Sequence, residues 1–156
     1  MIVIGLNPST ADEAKDDPTI RRCIAFAKRE DCGRLVMLNL FAFRARKPAD
    51  MLAARNPVGP GTDRALRDYA GGPRTSIVVA AWGRRGPRKR VAEVMSLFAI
   101  IHCFGRNKDR SPKHPLYLRA DTPLRRYHDA GRQRKAPRFR GARVSNAIGV
   151  RASGRD

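Results

Sequence analysis

Four short apolar runs, each closing on a glycine or carrying an asparagine near its end, constrain this chain more than any other feature. They are Met1 to Ile4 before Gly5, Leu35 to Phe41 around Asn39, Ile77 to Trp82 before Gly83, and Ile100 to Phe104 before Gly105. Their β-branched composition is that of buried strands. The stretches between them carry helical signals. Asp17 as N-cap and Pro18 at the first turn start a helix to about Glu30, with Ile20, Cys23, Ile24 and Ala27 as its apolar face. A short helical turn starts at Pro48, and Pro57 to Gly61 is a breaker cluster. Thr62 or Asp63 caps a helix that turns Leu66 and Tyr69 inward, and Val91, Val94, Met95 and Phe98 repeat the helical spacing. Alternating strand and helix predicts an α/β fold with a four-stranded parallel sheet, order 2-1-3-4, joined by right-handed crossovers.

Such a sheet brings the carboxyl ends of its strands to one edge, where ligands bind in open α/β folds. The polar residues expected there are Gly5, Asn7, Pro8, Ser9 and Thr10 after strand one, Asn39 in strand two, Trp82 in strand three, and Lys108 and His114 after strand four. Asn7, Asn39 and His114 would line one pocket. An asparagine amide both donates and accepts, so Asn39 reads the edge of a base or satisfies loop backbone. His114 either stabilises a developing oxyanion or is a solvated loop residue. Trp82 is a core side chain or a stacking surface. The Asn7 to Thr10 loop itself has a plain reading too, as a turn followed by a helix cap.

Charge narrows the partners. Among 156 residues, 33 Lys and Arg stand against 14 Asp and Glu, a net charge of +19. A field of that sign favours polyanions, so nucleic acid, DNA first, is the expected partner, with an anionic membrane surface behind it. No apolar run nears the roughly 20 residues of a membrane span, and Met1 to Ile4 is too short for the core of a secretory signal. Cys23, Cys32 and Cys103 form no metal-binding or disulfide spacing and read as reduced thiols of a cytoplasmic protein. No metal or other cofactor is expected, and the protein is expected to be a monomer. Residues 1–124 form the expected domain. From Arg125 to Asp156 no apolar period persists, and this basic segment reads as a disordered tail that grips nucleic acid without sequence preference or as a mere extension.

The stretches LNPSTAD, DDPTIRRCIAFAKR, NLFAFRA, NPVGP, VVAAWG and HCFGRNKD followed by HPLYL resemble the bacterial DUF1643 family of uncharacterised proteins, over Ile4 to Leu124. More distantly, the same landmarks resemble the uracil-DNA glycosylase superfamily, which implies a small three-layer sandwich. Gly5 to Pro8 is similar to that superfamily's water-orienting loop. Met37 to Asn39 is similar to the strand whose asparagine reads uracil. Ala81 to Gly83 resembles its Leu-Trp-Gly strand end, and His114-Pro115 the loop whose histidine faces the uracil oxyanion. Two features depart from the pattern: Ala11 to Asp17 offers no aromatic to stack on a flipped base, and Leu116-Tyr117 stands where a serine would pinch the DNA backbone.

Three functions follow. The first is hydrolysis of an N-glycosidic bond in DNA or a nucleotide-like substrate, with Asn7 placing water, His114 stabilising charge, and Asp12, Asp16 or Asp17 as nearby carboxylates. The second is a binding module that recognises nucleic acid or a modified base without chemistry. The third is a small nucleotide-like ligand with an incidental basic tail.

Overall fold

A computed structural model describes residues 1–8, 17–45, 47–72 and 77–130. Ser9, Thr10, Asp12, Asp16 and the segment from residue 131 onward lie outside them. The strands are β1 (Ile2–Gly5), β2 (Val36–Asn39), β3 (Val78–Ala80), β4 (Ile100–Cys103) and β5 (Arg125–Asp129). The helices are α1 (Pro18–Arg29), α2 (Pro48–Ala53), α3 (Thr62–Ala70) and α4 (Arg88–Met95), with 3₁₀ turns at Gly83–Arg85 and Pro115–Tyr117.

The sheet runs β2-β1-β3-β4-β5. Its first four strands are mutually parallel, and β5 is antiparallel to β4. The fold is therefore α/β with a five-stranded mixed sheet, not the four-stranded parallel sheet expected. Arg125, the expected start of a tail, instead begins the fifth strand. The strand escaped periodicity because an edge strand buries one face only in part, and Tyr127 is its one large apolar residue. A β-bulge between Ile101 and His102 leaves Tyr127 without an opposite partner.

Alternation along the strands divides the core in two. Ile2, Ile4, Val78, Ala80, Trp82 and Ile101 face α2, α3 and α4, where Met51, Leu66, Val94 and Phe98 meet them. Met1, Val3, Val79 and Ala81 face α1, where Cys23, Phe26 and Ala27 pack with Phe104 and Leu118. With helices on both faces, the central strands read as unbroken apolar runs.

Two details differ from the spacing. The buried stripe of α1 is Cys23, Phe26 and Ala27, while Ile20 and Ile24 are 42% and 40% exposed. Phe26 turns the helix, because its ring stacks on Phe104 with centroids 4.1 Å apart. At α3 neither Thr62 nor Asp63 is the cap. Gly61, at φ 82°, takes that place. The Thr62 hydroxyl donates to the Val58 carbonyl at 2.6 Å, and Asp63 pairs with Arg90. The expected Asp17 cap is present, accepting from the Thr19 amide at 2.7 Å.

Candidate functional site

Parallel pairing sets Gly5 of β1 directly beside Asn39 of β2. A Cβ on residue 5 would stand 2.6 Å from the Asn39 Oδ1, so the asparagine side chain occupies the space that glycine leaves open. Asn39 is half-buried and, with Pro8, Phe41, Thr62, Ala65 and Leu66, lines a cleft of about 200 Å³ between the carboxyl edge and α3. Its amide makes no hydrogen bond to a described residue. The cleft is smaller than the roughly 300–1,000 Å³ of a drug-sized pocket, so it suits one small planar group between apolar walls.

Asn7 does different work. Its Nδ2 donates to the carbonyls of Ala45 at 2.9 Å, Pro8 at 3.2 Å and Phe43 at 3.4 Å. That amide fastens the loop after β1 to the chain leaving β2. Trp82 is 3% exposed, edge-on to Tyr127 at 5.8 Å, and pressed against Gly86 so closely that a Cβ there would lie 2.7 Å from its ring. It is a core side chain.

His114 stands on the α1 side of the sheet. Its Nδ1 accepts from the Leu116 amide at 3.3 Å, which puts the proton of the neutral ring on Nε2. Burial pushes its pKa below the ordinary histidine value, and the Asp17 carboxylate opposes that shift without cancelling it. The structure thus brings Gly5, Pro8 and Asn39 together. Asn7 is tied into the adjoining loop, and His114 lies across the sheet from the cleft on α3.

Lys108 is exposed in a tight turn after β4. Within that turn the Asn107 amide donates to the Ser111 hydroxyl at 3.0 Å, and Ser111 donates to Asp109 through both its amide and its hydroxyl. These two Ser111 hydrogen bonds, with Arg84 nearby, hold the Asp109 carboxyl below its ordinary value.

The cations of the carboxyl edge form a wider pattern. Exposed Arg44 follows β2, Arg84 and Arg85 follow β3, and Lys108, Arg110 and Lys113 follow β4. Against them, among the described residues, stand Asp109, 4.0 Å from Arg84, Asp17 at the start of α1 and Asp63 in the first turn of α3. At the opposite edge, the approach to β2 holds Glu30, Asp31 and Arg34, and the approach to β4 from Ser96 to Ala99 carries no charge. Among the described residues, the loops that leave β2, β3 and β4 at this edge thus carry more cations than acids.

Sequence reasoning missed Arg90. It is 8% exposed, donates through Nε to the Leu40 carbonyl at 2.8 Å, and sets Nη2 2.6 Å from Asp63. The available signal was its place four residues before Val94, a cation on the apolar stripe of α4. Arg106 was missed as well. Its guanidinium donates to the carbonyls of Arg126 and Tyr127 at 3.1 and 3.0 Å and covers the Tyr127 ring at 4.9 Å.

Among the described residues, no three His, Cys, Asp or Glu side chains gather to hold a metal ion, and no helix is long and apolar enough to cross a membrane. The family model DUF1643, described as a protein of unknown function, matches residues 1–116. The chain belongs to the DUF1643 family. The Asn39 cleft and the cations of the carboxyl edge all fall within the DUF1643 match. Nothing among curated proteins or solved structures matches this DUF1643 chain.

Proposed function

We propose that this DUF1643 protein binds nucleic acid across the carboxyl edge of its sheet, as a binding module and not as a bond-cleaving enzyme. The observation that carries this reading is the set of exposed cations contributed by three separate strand ends, Arg44, Arg84, Arg85, Lys108, Arg110 and Lys113. Phosphates spaced along a polyanion meet such a row favourably, and each contact releases counterions. The Asn39 cleft beside the row presents a donor and an acceptor between apolar walls, the requirement for reading one base edge.

The likeness to uracil-DNA glycosylases supports the same partner. Hydrolysis draws less support, because the donor side of Asn7 is committed to three carbonyls and His114 stands on the other side of the sheet. The binding reading is tested by fluorescence anisotropy of a labelled oligonucleotide over a range of salt. The expected result is a falling log K with log salt, and Lys108→Gln with Arg110→Gln reduces the slope by about 2. A salt-independent affinity, or a slope unmoved by the two substitutions, refutes it. Release of a free base from duplexes bearing single modified bases would restore the hydrolase reading.

A further inference from the structure

β2 is an outer strand of the sheet, and its outer side is unusually plain. It pairs with β1 in unbroken register from Val36 to Asn39, and from Leu35 to Phe41 it holds neither a charged residue nor a proline. Charges, prolines and bulges are what normally close an exposed strand to other chains. The Val36 amide donates to the Met1 carbonyl and the Leu40 amide to that of Gly5, so Met37 and Asn39 turn their own backbone groups outward. Among the described residues no strand pairs with that side. Met37, Leu38 and Asn39 point to alternate faces of the sheet, yet all three line the cleft. The cleft therefore opens along the outer side of β2.

Helix α1 adds an apolar flank beside this strand. Its Phe26 ring stacks on Phe104, which follows β4, and Arg22 and Ala25 share a groove with Leu116 of the turn after β4. Those contacts turn one side of the helix toward β4. Ile24 and Ile20 lie about 160° and about 120° around the helix from Phe26, on the β2 side. They are 40% and 42% exposed.

We propose that this surface receives a second copy of the chain, joined β2 to β2 in antiparallel register about a two-fold axis normal to the sheet. Such a self-complementary contact runs one sheet through both copies and sets both α1 helices on the same face. Their Ile20 and Ile24 flanks then meet across the seam. The strand ends suit this direction. Exposed Asp31 and Arg34 lead into β2 and exposed Arg44 leaves it, so each Arg44 comes to the Asp31 end of the other copy. Parallel addition would set Arg44 against Arg44. The net charge of +19 opposes pairing at low salt, and salt screens it. The contact goes beyond the nucleic-acid reading and does not depend on it, although a paired copy closes the outer side of the Asn39 cleft to a base.

The test is analytical ultracentrifugation of the full chain without nucleic acid, at protein concentrations up to a millimolar. In about 0.5 M sodium chloride, which screens charges beyond about 4 Å, the mass rises with concentration toward that of two chains. Lower salt weakens the association, opposite to the trend for oligonucleotide binding. Ile24→Glu weakens it by at least about tenfold, although it lowers the net charge and so reduces repulsion. Met37→Pro does the same by removing an outward amide that β1 does not use, a place where an edge strand tolerates proline. Leu116→Glu, on the opposite flank of α1, leaves it unchanged. A single-chain mass at every salt and concentration overturns the proposal. So does a dimer that survives both Ile24→Glu and Met37→Pro, since it must use another face. Either failure leaves the nucleic-acid reading untouched.

Discussion

Asn7 is the residue in which structural duty and the chemistry expected from sequence compete most directly. One amide nitrogen serves three carbonyls, and two of them, Phe43 and Ala45, lie in the segment that leads from β2 toward α2. Truncation would strip those carbonyls of their donor. Asn7→Ala is expected to lower stability by about 1–2 kcal/mol, within the range of one to two net hydrogen bonds. Urea denaturation measures this directly. Parent-like stability combined with lost oligonucleotide binding would instead show that the side chain serves a ligand. Gly5 and Asn39 form a tighter pair, because no side chain fits on residue 5 without displacing the Asn39 Oδ1.

At the scale of elements, Arg90 does for α4 what Asn7 does for the first loop. It joins three pieces: its own helix, the Leu40 carbonyl at the end of β2, and Asp63 in the first turn of α3. Arg90→Met keeps most of the stem and removes the donors. It is expected to cost about 1–3 kcal/mol, because a buried carbonyl is left without a partner. Asp63→Asn should cost less than about 1 kcal/mol, since that carboxylate is 48% exposed and water screens its ion pair. Equal losses in the two variants would place the energy in the ion pair and not in the carbonyl.

The order of strands and helices was legible because β1 and β3 are buried from both sides, β4 buries Ile101 and Cys103, and all three announce themselves as apolar runs. Gly5 and Asn39 could be set at one edge for the same reason. Arg90 could not be placed, because a lone cation in a basic helix looks solvated until the buried carbonyl it satisfies is known. Nor could β5 be read: Arg125-Arg126-Tyr127-His128-Asp129 has the composition of a charged tail, and only the bulge and Arg106 show why it pairs. The separation of His114 from the α3 cleft depended on which sheet face each loop turned to, which strand order alone does not decide.

Across the whole molecule, stability should respond to alkali through Cys23. Burial raises its thiol from 9.0 to about 11, with a smaller push from Asp17. The folded state holds that proton more tightly than the unfolded chain. The contribution is therefore complete below about pH 9 and is lost as pH rises from there to about 11. Denaturation midpoints should be level up to pH 9 and then fall, and Cys23→Ala should remove this component of the decline. A parent protein with no such decline between those values would show that the thiolate is not excluded from the core. The bulge in β5 has a separate consequence, for how copies of this protein tolerate crowding. A straight terminal strand offers its unpaired amides and carbonyls as a template to any passing chain. Here the extra residue at Tyr127 breaks that repeat, and Arg106 occupies two of its carbonyls with a charged group. Arg106 and the bulge thus interrupt the regular backbone repeat of the outermost described strand on this side of the sheet, the repeat that edge-to-edge pairing would need.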